Sequence, residues 1–157
     1  MKIACWAIGK TADAYLEDGL KIYLKRLPHY TSFEWEIIPD IRKAGKLPAE
    51  KLKELEGEQI LKRLKPDDVL ILLDERGKSF TSRKFSEYIA ERQNRGIRRI
   101  VFQIGGAYGF SPAVYQRAND QIRLSDMTFS HQMIRLFFLE QVYRAMTILR
   151  NEPYHND

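Results

Sequence analysis

Ile104-Gly105-Gly106-Ala107-Tyr108-Gly109-Phe110 closes an apolar, β-branched run that begins at Ile100, and the rest of the chain is read outward from that junction. Ile100 to Ile104 has the unbroken apolar character of a strand covered on both faces. The glycine pair behind it lets a ligand or another backbone approach closely. A second short apolar segment, Leu124-Ser125-Asp126-Met127-Thr128-Phe129, runs into Ser130-His131-Gln132 and a long apolar helix, and the chain finishes in Glu152-Pro153-Tyr154-His155. A core does not require an aromatic and an imidazole on a tail too short to fold alone. A binding site does.

Working back toward the N-terminus, strand-like and helical patterns alternate. Lys2 to Ile8 reads as a strand ending at Gly9, and residues 13–27 carry Leu16, Leu20, Tyr23, Leu24 and Leu27 at helical spacing. Phe33 to Ile38 is a second strand stopped by Pro39; Ile41 to Pro48 is a basic, glycine-containing loop expected to move when no ligand is present. A helix over 49–64 is weakened by Gly57. Val69 to Leu73 is a third, doubly covered strand, followed by a polar turn from Asp74 to Ser79 and a helix over 82–95. Beyond the glycine junction, Ser111-Pro112 is a helix start, with a capping hydroxyl and proline at the first position. Ile122 to Leu124 reads as a short fifth strand and 131–150 as the last helix. Strands alternating with helices predict an α/β fold, a mostly parallel sheet flanked by helices. No repeat, linker or low-complexity stretch interrupts residues 1–157, so one domain is expected.

Composition narrows the class. With 157 residues, 44% hydrophobic and 30% charged, the chain has the profile of a soluble globular domain. Met1 to Ile8 lacks the build of a signal peptide, and no run approaches the length of a membrane span, so the cytoplasm is the expected location. The lone Cys5 sits in an apolar run and reads as a buried core residue. A formal net charge of +5 is compatible with an anionic partner such as RNA. Arg92, Arg95, Arg98 and Arg99 are either helix-end charge around a solvated turn or a phosphate patch.

Several motifs fail on spacing. Ile8-Gly9-Lys10-Thr11 resembles the tail of a phosphate-binding loop, but Ala4 stands where the first glycine is needed. Gly105-Gly106-Ala107-Tyr108-Gly109 is not a dinucleotide fingerprint. His29, His131 and His155 share no metal-ligand spacing, so no metal is expected, and there is no nucleophile elbow.

The final helix is apolar nearly all round, from Ile134 through Phe137 and Val142 to Leu149, which requires burial nearly all round. Either it is a central helix in a monomer, or its outer face meets a second subunit. The peripheral place of helices in a small α/β domain favours a homodimer. Glu140 and Arg144 stand four apart with the acid first, as a pair prefers; His131 and Arg135 share that spacing. Because buried charge must be paired, Arg135, Glu140 and Arg144 are expected to face a polar cavity. Tyr154-His155 is either a frayed end or a segment laid across a neighbouring cleft, an approach that Pro153 stiffens.

These segments carry a family resemblance. Met-Lys-Ile at the start, Glu56-Gly57-Glu58-Gln59, Leu73-Asp74-Glu75-Arg76-Gly77-Lys78, the Ile104–Gly109 run, Leu124–Phe129, Glu140-Gln141-Val142-Tyr143-Arg144-Ala145 and the terminal Pro153-Tyr154-His155 occur in order over the full length. The chain resembles the ribosomal RNA large-subunit methyltransferase H family of the SPOUT superfamily. That resemblance implies an α/β-knot fold with a C-terminal trefoil knot, a homodimer sharing its active site, and S-adenosyl-L-methionine as methyl donor. The implied reaction is methylation of N3 of pseudouridine 1915 in 23S rRNA, within a ribosome or large subunit. Leu73, Gly105 and Leu124, Ser125, Asp126, Met127, Thr128 and Phe129 are the implied donor-binding residues. His155, Tyr154, Arg144 and Glu140 are the catalytic candidates: His155 as base or orienter of the base, Tyr154 against the target base, and Arg144, fixed by Glu140, on developing negative charge. Arg135 is a further candidate for RNA contact. Ser130 departs from the proline expected before the histidine, yet its hydroxyl can still cap the last helix. Two other readings are a non-catalytic basic RNA-binding assembly factor and a SPOUT methyltransferase acting on tRNA.

Overall fold

Lys2–Ile8 (β1) shows why the sheet lies in the interior: Ile3, Cys5 and Ala7 join one apolar cluster, while Ala4, Trp6 and Ile8 join another on the opposite face. A strand with two apolar sides needs cover on both. The computed structural model describes all 157 residues and supplies that cover with helices. The remaining strands are Ser32–Ile38 (β2), Val69–Ser79 (β3), Arg99–Ile104 (β4) and Asp120–Arg123 (β5), in the order β2-β1-β4-β3-β5, every pair parallel. The helices are Ala14–Arg26 (α1), Ala49–Arg63 (α2), Ser82–Asn94 (α3), Pro112–Arg117 (α4) and Met133–Leu149 (α5).

Leu20, Phe85, Ile89, Phe138 and Val142 place α1, α3 and α5 in one cluster; Ile60 and Val114 place α2 and α4 in the other. Crossovers in one direction along the sheet (β1 to β2, β3 to β4) therefore use one face, and those in the other direction (β2 to β3, β4 to β5) use the opposite face. A single crossover hand requires that arrangement. Two helices, α3 and α4, carry side-chain caps, with Thr81 Oγ1 accepting from Lys84 N at 3.2 Å and Ser111 Oγ from Val114 N at 3.4 Å. Cys5 is buried and its thiol is pushed above the ordinary range by that burial.

The α/β parallel architecture expected from the sequence is observed, with corrections at several edges. Asp74 to Ser79 is not a free turn: β3 continues to Ser79, with a register shift in which Ile122 pairs with both Leu73 and Lys78. Residues 74–77 bulge out between those pairings. Gly77 is required there, because a Cβ would stand 2.5 Å from the Ile122 nitrogen. Gly57 does not simply weaken α2, since a Cβ at that position would lie 2.5 Å from Ser111 Oγ; its absence lets α2 and α4 pack closely. The fifth strand ends at Arg123, one residue before Leu124, and α5 begins at Met133, after His131. The basic 41–48 loop contains one short 3₁₀ turn, Ala44–Lys46, entered through Lys43 at φ +58°. No helix is long and apolar enough to cross a membrane.

Candidate active site

All five strands point their carboxyl ends toward one edge, and the largest cavity opens there beyond β3, β4 and β5. Ligands of open parallel sheets bind at that edge, where turns diverge and backbone groups are free. The cavity has a volume of about 580 Å³. Leu73 and Asp74 line it from β3, Ile104 and the glycine turn from β4, and Leu124, Thr128, Phe129 and Ile134 from the chain entering α5.

Each wall has a local cause. After Ile104 the chain folds into a tight turn closed by Gly109 N donating to Gly106 O at 3.3 Å, with Gly109 at φ +83°. Phe110 then buries beneath Gly105, where a Cβ would meet its ring at 3.1 Å. On the opposite wall, Ser125 Oγ accepts from Met127 N at 3.0 Å, a local turn that competes with regular structure. Ser130 Oγ accepts from Met133 N at 3.1 Å and so caps the approach to α5 as the sequence suggested. On the β3 bulge, Asp74 Oδ1 accepts from Arg76 N at 2.8 Å, and Tyr115 donates to the same carboxylate. Burial and the Asp74 carboxylate both push the Tyr115 phenol up, so it stays protonated and keeps this contact.

Leu73, Gly105, Leu124, Ser125, Met127, Thr128 and Phe129 all stand on the cavity wall. Asp126 does not: it points outward and pairs with Arg123 at 2.9 Å. The wall combines apolar side chains with glycine backbone and carboxylates, in a volume within the range of small-molecule sites.

Glu140, Arg144, Tyr154 and His155 are also brought together, but away from that wall. Arg144 donates to Glu140 Oε1 at 2.6 Å, and the Tyr154 hydroxyl donates to the same oxygen at 3.0 Å. Arg144 also reaches His155 Nδ1 at 3.2 Å, while His155 Nε2 lies 2.8 Å from Asp157 Oδ1. Asp157 in turn accepts from Arg83 Nε at 2.7 Å. An arginine can only donate, so Nδ1 is the acceptor and the neutral ring carries its proton on Nε2. The tail is thus not a frayed end. The Glu140 carboxylate raises the Arg144 pKa, and burial keeps the Tyr154 phenol protonated well above its ordinary range. None of the four residues lines the cavity of its own chain.

Arg135 requires a correction. It is 1% exposed and donates to Ile8 O and Gly9 O, each at 2.7 Å, and to His131 O at 3.2 Å. The guanidinium therefore closes the carboxyl end of β1 and faces neither RNA nor an open polar cavity. Burial lowers its pKa, and the negative charge of Asp40 opposes that. Gln132 adds to the junction, donating to Lys10 O at 3.2 Å and accepting from Ala12 N at 2.9 Å. Sequence reasoning missed this tie because it depends on a contact across more than 120 positions. Three of the four arginines around the α3–β4 turn also carry carboxylate partners, Arg92 with Asp120, Arg95 with Glu91 and Arg99 with Asp68. Helix-end and strand-start pairing accounts for those three.

Comparison with known proteins bears on the same residues. A family described as predicted SPOUT methyltransferase matches residues 1–155. The ribosomal RNA large subunit methyltransferase H of Porphyromonas gingivalis is 54% identical over 157 residues, covering all of both chains. The protein of the same name from Christiangramia forsetii is 56% identical over 156 residues, 99% of this chain and 98% of its own. That from Parabacteroides distasonis is 55% identical over the whole of both chains.

Proposed function

The chain belongs to the SPOUT methyltransferase family, and on that premise we propose that it uses S-adenosyl-L-methionine to methylate N3 of pseudouridine 1915 in 23S rRNA. The observation that carries this reading is the strand-end cavity walled by Leu73, Gly105 and residues 124–129. When bound, the donor supplies a methyl group already activated by a sulfonium. The protein's task is then to place the base nitrogen in line with that methyl and to remove its proton.

Leu73, Leu124 and Phe129 hold the adenosyl portion, the Gly105 backbone comes close to it, and Ser125, Met127 and Thr128 complete the wall. Asp126 acts through Arg123, pinning the loop from outside. Tyr154, a neutral donor with an aromatic face, receives the target base. Arg144 turns from His155 toward the imide oxygen that gains negative charge, with Glu140 fixing its angle. That movement frees His155 Nδ1 to take up the proton that N3 loses on methylation, while Nε2 stays on Asp157.

The separation of tail from cavity within one chain supports a homodimer whose partner tail completes each site. Met127, Tyr108, Phe129 and Phe137 are exposed near the cavity mouth, and the Phe129 and Phe137 rings lie 4.9 Å apart. An apolar rim of that kind is suited to a second copy. Lys10, Arg42, Lys43 and Lys46 stand on the loops beyond β1 and β2 at the same sheet edge without carboxylate partners. They are placed to receive rRNA phosphates. The reading includes one domain over 1–157, the trefoil knot and a cytoplasmic location.

Incubation with labelled donor and unmodified ribosomes, separate subunits or naked 23S rRNA tests the assignment. Methyl incorporation at N3 of pseudouridine 1915, mapped by mass spectrometry, is the expected result. Incorporation into tRNA alone, or into no RNA, would sink it.

A further inference from the structure

Glu56 is buried to 7% exposure on α2, yet its Oε2 has no hydrogen-bond partner. A buried carboxyl without a partner is costly, and proteins keep few of them. This one lies directly behind the glycine turn of the cavity: a Cβ on Gly106 would stand 2.5 Å from Glu56 Oε2. Gly106 lines the cavity on its other side. The turn backbone is therefore a thin partition between the donor site and an unpartnered carboxyl.

We propose that Glu56 is a positioning residue for the donor cavity, shaping the Gly105–Gly109 turn from behind and coupling its own protonation to occupancy of the site. The inference rests on the cavity being the donor site.

The groups around the carboxyl determine which charge state the closed turn tolerates. Asp40, on the loop after β2, is the ionisable group whose charge acts on it, and that charge is of the same sign. On α2 itself, Lys53 is engaged with Glu50 at 2.8 Å and Arg63 with Glu36 at 3.1 Å. From α4, the neutral Ser111 and Val114 pack against the adjoining Gly57. The sheet face beneath α2 contributes Trp6 and Gln103, also neutral, each with one unpartnered polar atom. No cation compensates an ionised Glu56. Burial, with Asp40 adding to it, raises the Glu56 pKa to about 7.

Consequently the neutral acid packs under Gly106 with the turn closed, and the ionised form draws water and displaces the turn. A ligand that needs the closed turn binds the protonated protein better, and by linkage its binding promotes proton uptake.

The test uses the full-length protein and S-adenosylhomocysteine, whose neutral sulfur removes direct attraction to an ionised carboxyl. Calorimetry of wild type should show the dissociation constant weakening by about 5- to 10-fold between pH 6 and pH 8.5. Proton uptake should be visible as a dependence on buffer ionisation enthalpy. Glu56→Gln, which keeps shape and lacks the charge, should bind with little change over that range and take up no proton. Hydrogen exchange of residues 105–110, corrected for intrinsic rates, supplies a readout without ligand. Protection in wild type should fall as pH rises, and protection in Glu56→Gln should not. The same pH dependence in wild type and Glu56→Gln overturns the proposal, as does a pH-independent wild type. If wild type binds no S-adenosylhomocysteine at any pH, the donor-site reading fails and the inference fails with it; binding without Glu56 dependence defeats the inference alone.

Discussion

The cavity wall and the C-terminal polar cluster are built from neighbouring parts of the chain and reach opposite degrees of completeness. The wall is finished within one chain, because strand ends, a glycine turn and the approach to α5 converge where a parallel sheet places them. The cluster is tied together, with Glu140, Arg144, Tyr154 and His155 bonded to one another, but none of the four lines the cavity of its own chain. A fold positions a small-molecule site by its own topology. A site for a base on a large RNA can instead be divided between two copies.

Deleting residues 154–157 is the most severe way to break that comparison. Transfer should fall by at least about 100-fold, the usual worth of a positioned base, while donor affinity by calorimetry changes by less than about threefold. Equal loss of both would show that the two regions are one site in one chain. The complementary experiment mixes that truncated chain with a Gly105→Val chain whose cavity turn is displaced by the clash with the buried Phe110 ring. Recovery of measurable transfer in the mixture, absent from either protein alone, is expected if the tail serves its partner. Continued inactivity of verified heterodimers would place tail and cavity in the same subunit.

Arg135→Ala sharpens the contrast between arginines on one helix. It strips donors from the Ile8 and Gly9 carbonyls and should destabilise the fold by roughly 2–4 kcal/mol in denaturant titration. Arg144→Ala, on the more exposed side, should cost less stability and more transfer. A stability loss as large as that of Arg135→Ala would remove the distinction.

Glu56 predicts a pH-dependent stability with a definite sign. Its folded pKa of about 7 lies above the ordinary value of 4.5, so between those values the folded chain holds a proton that the unfolded chain has released. Its contribution to stability is greatest below pH 4.5, declines through the window up to about 7, and is level above it. Glu56→Gln should remove that decline and be more stable than wild type at pH 8 by roughly 1–3 kcal/mol. Parallel unfolding curves at pH 5 and pH 8 check it; an unchanged difference between the two pH values would count against the burial argument. The smallest effect is expected at Asp126→Ala, where loss of an exposed pair should weaken donor binding by no more than about threefold.

Much of the wall was legible in the sequence. Ile100–Ile104 followed by two glycines is read correctly from local pattern, because a doubly buried strand and a backbone that needs room leave compositional marks. The polarity of Asp74–Ser79 fits a turn, whereas pairing with β5 across a bulge carries it on as strand. Arg135 differs for a related reason: a charge on an apolar helix signals a polar neighbour but not which one. Glu56 stood inside a recognisable motif without any local sign of its burial.

By itself the sequence determined the alternation of strands and helices, their double-sided apolar cover and the membership of the family, since each depends on residues near one another or on the order of motifs. Only the tertiary structure decided that Arg135 closes β1, that Glu56 lies unpaired behind Gly106, and that the Tyr154-His155 tail is tied to α5 outside its own cavity. The physical reason is range. Hydrophobic periodicity and turn chemistry act over a few residues, whereas pairing of buried polar groups is settled by whichever partners the packed chain brings within about 3 Å.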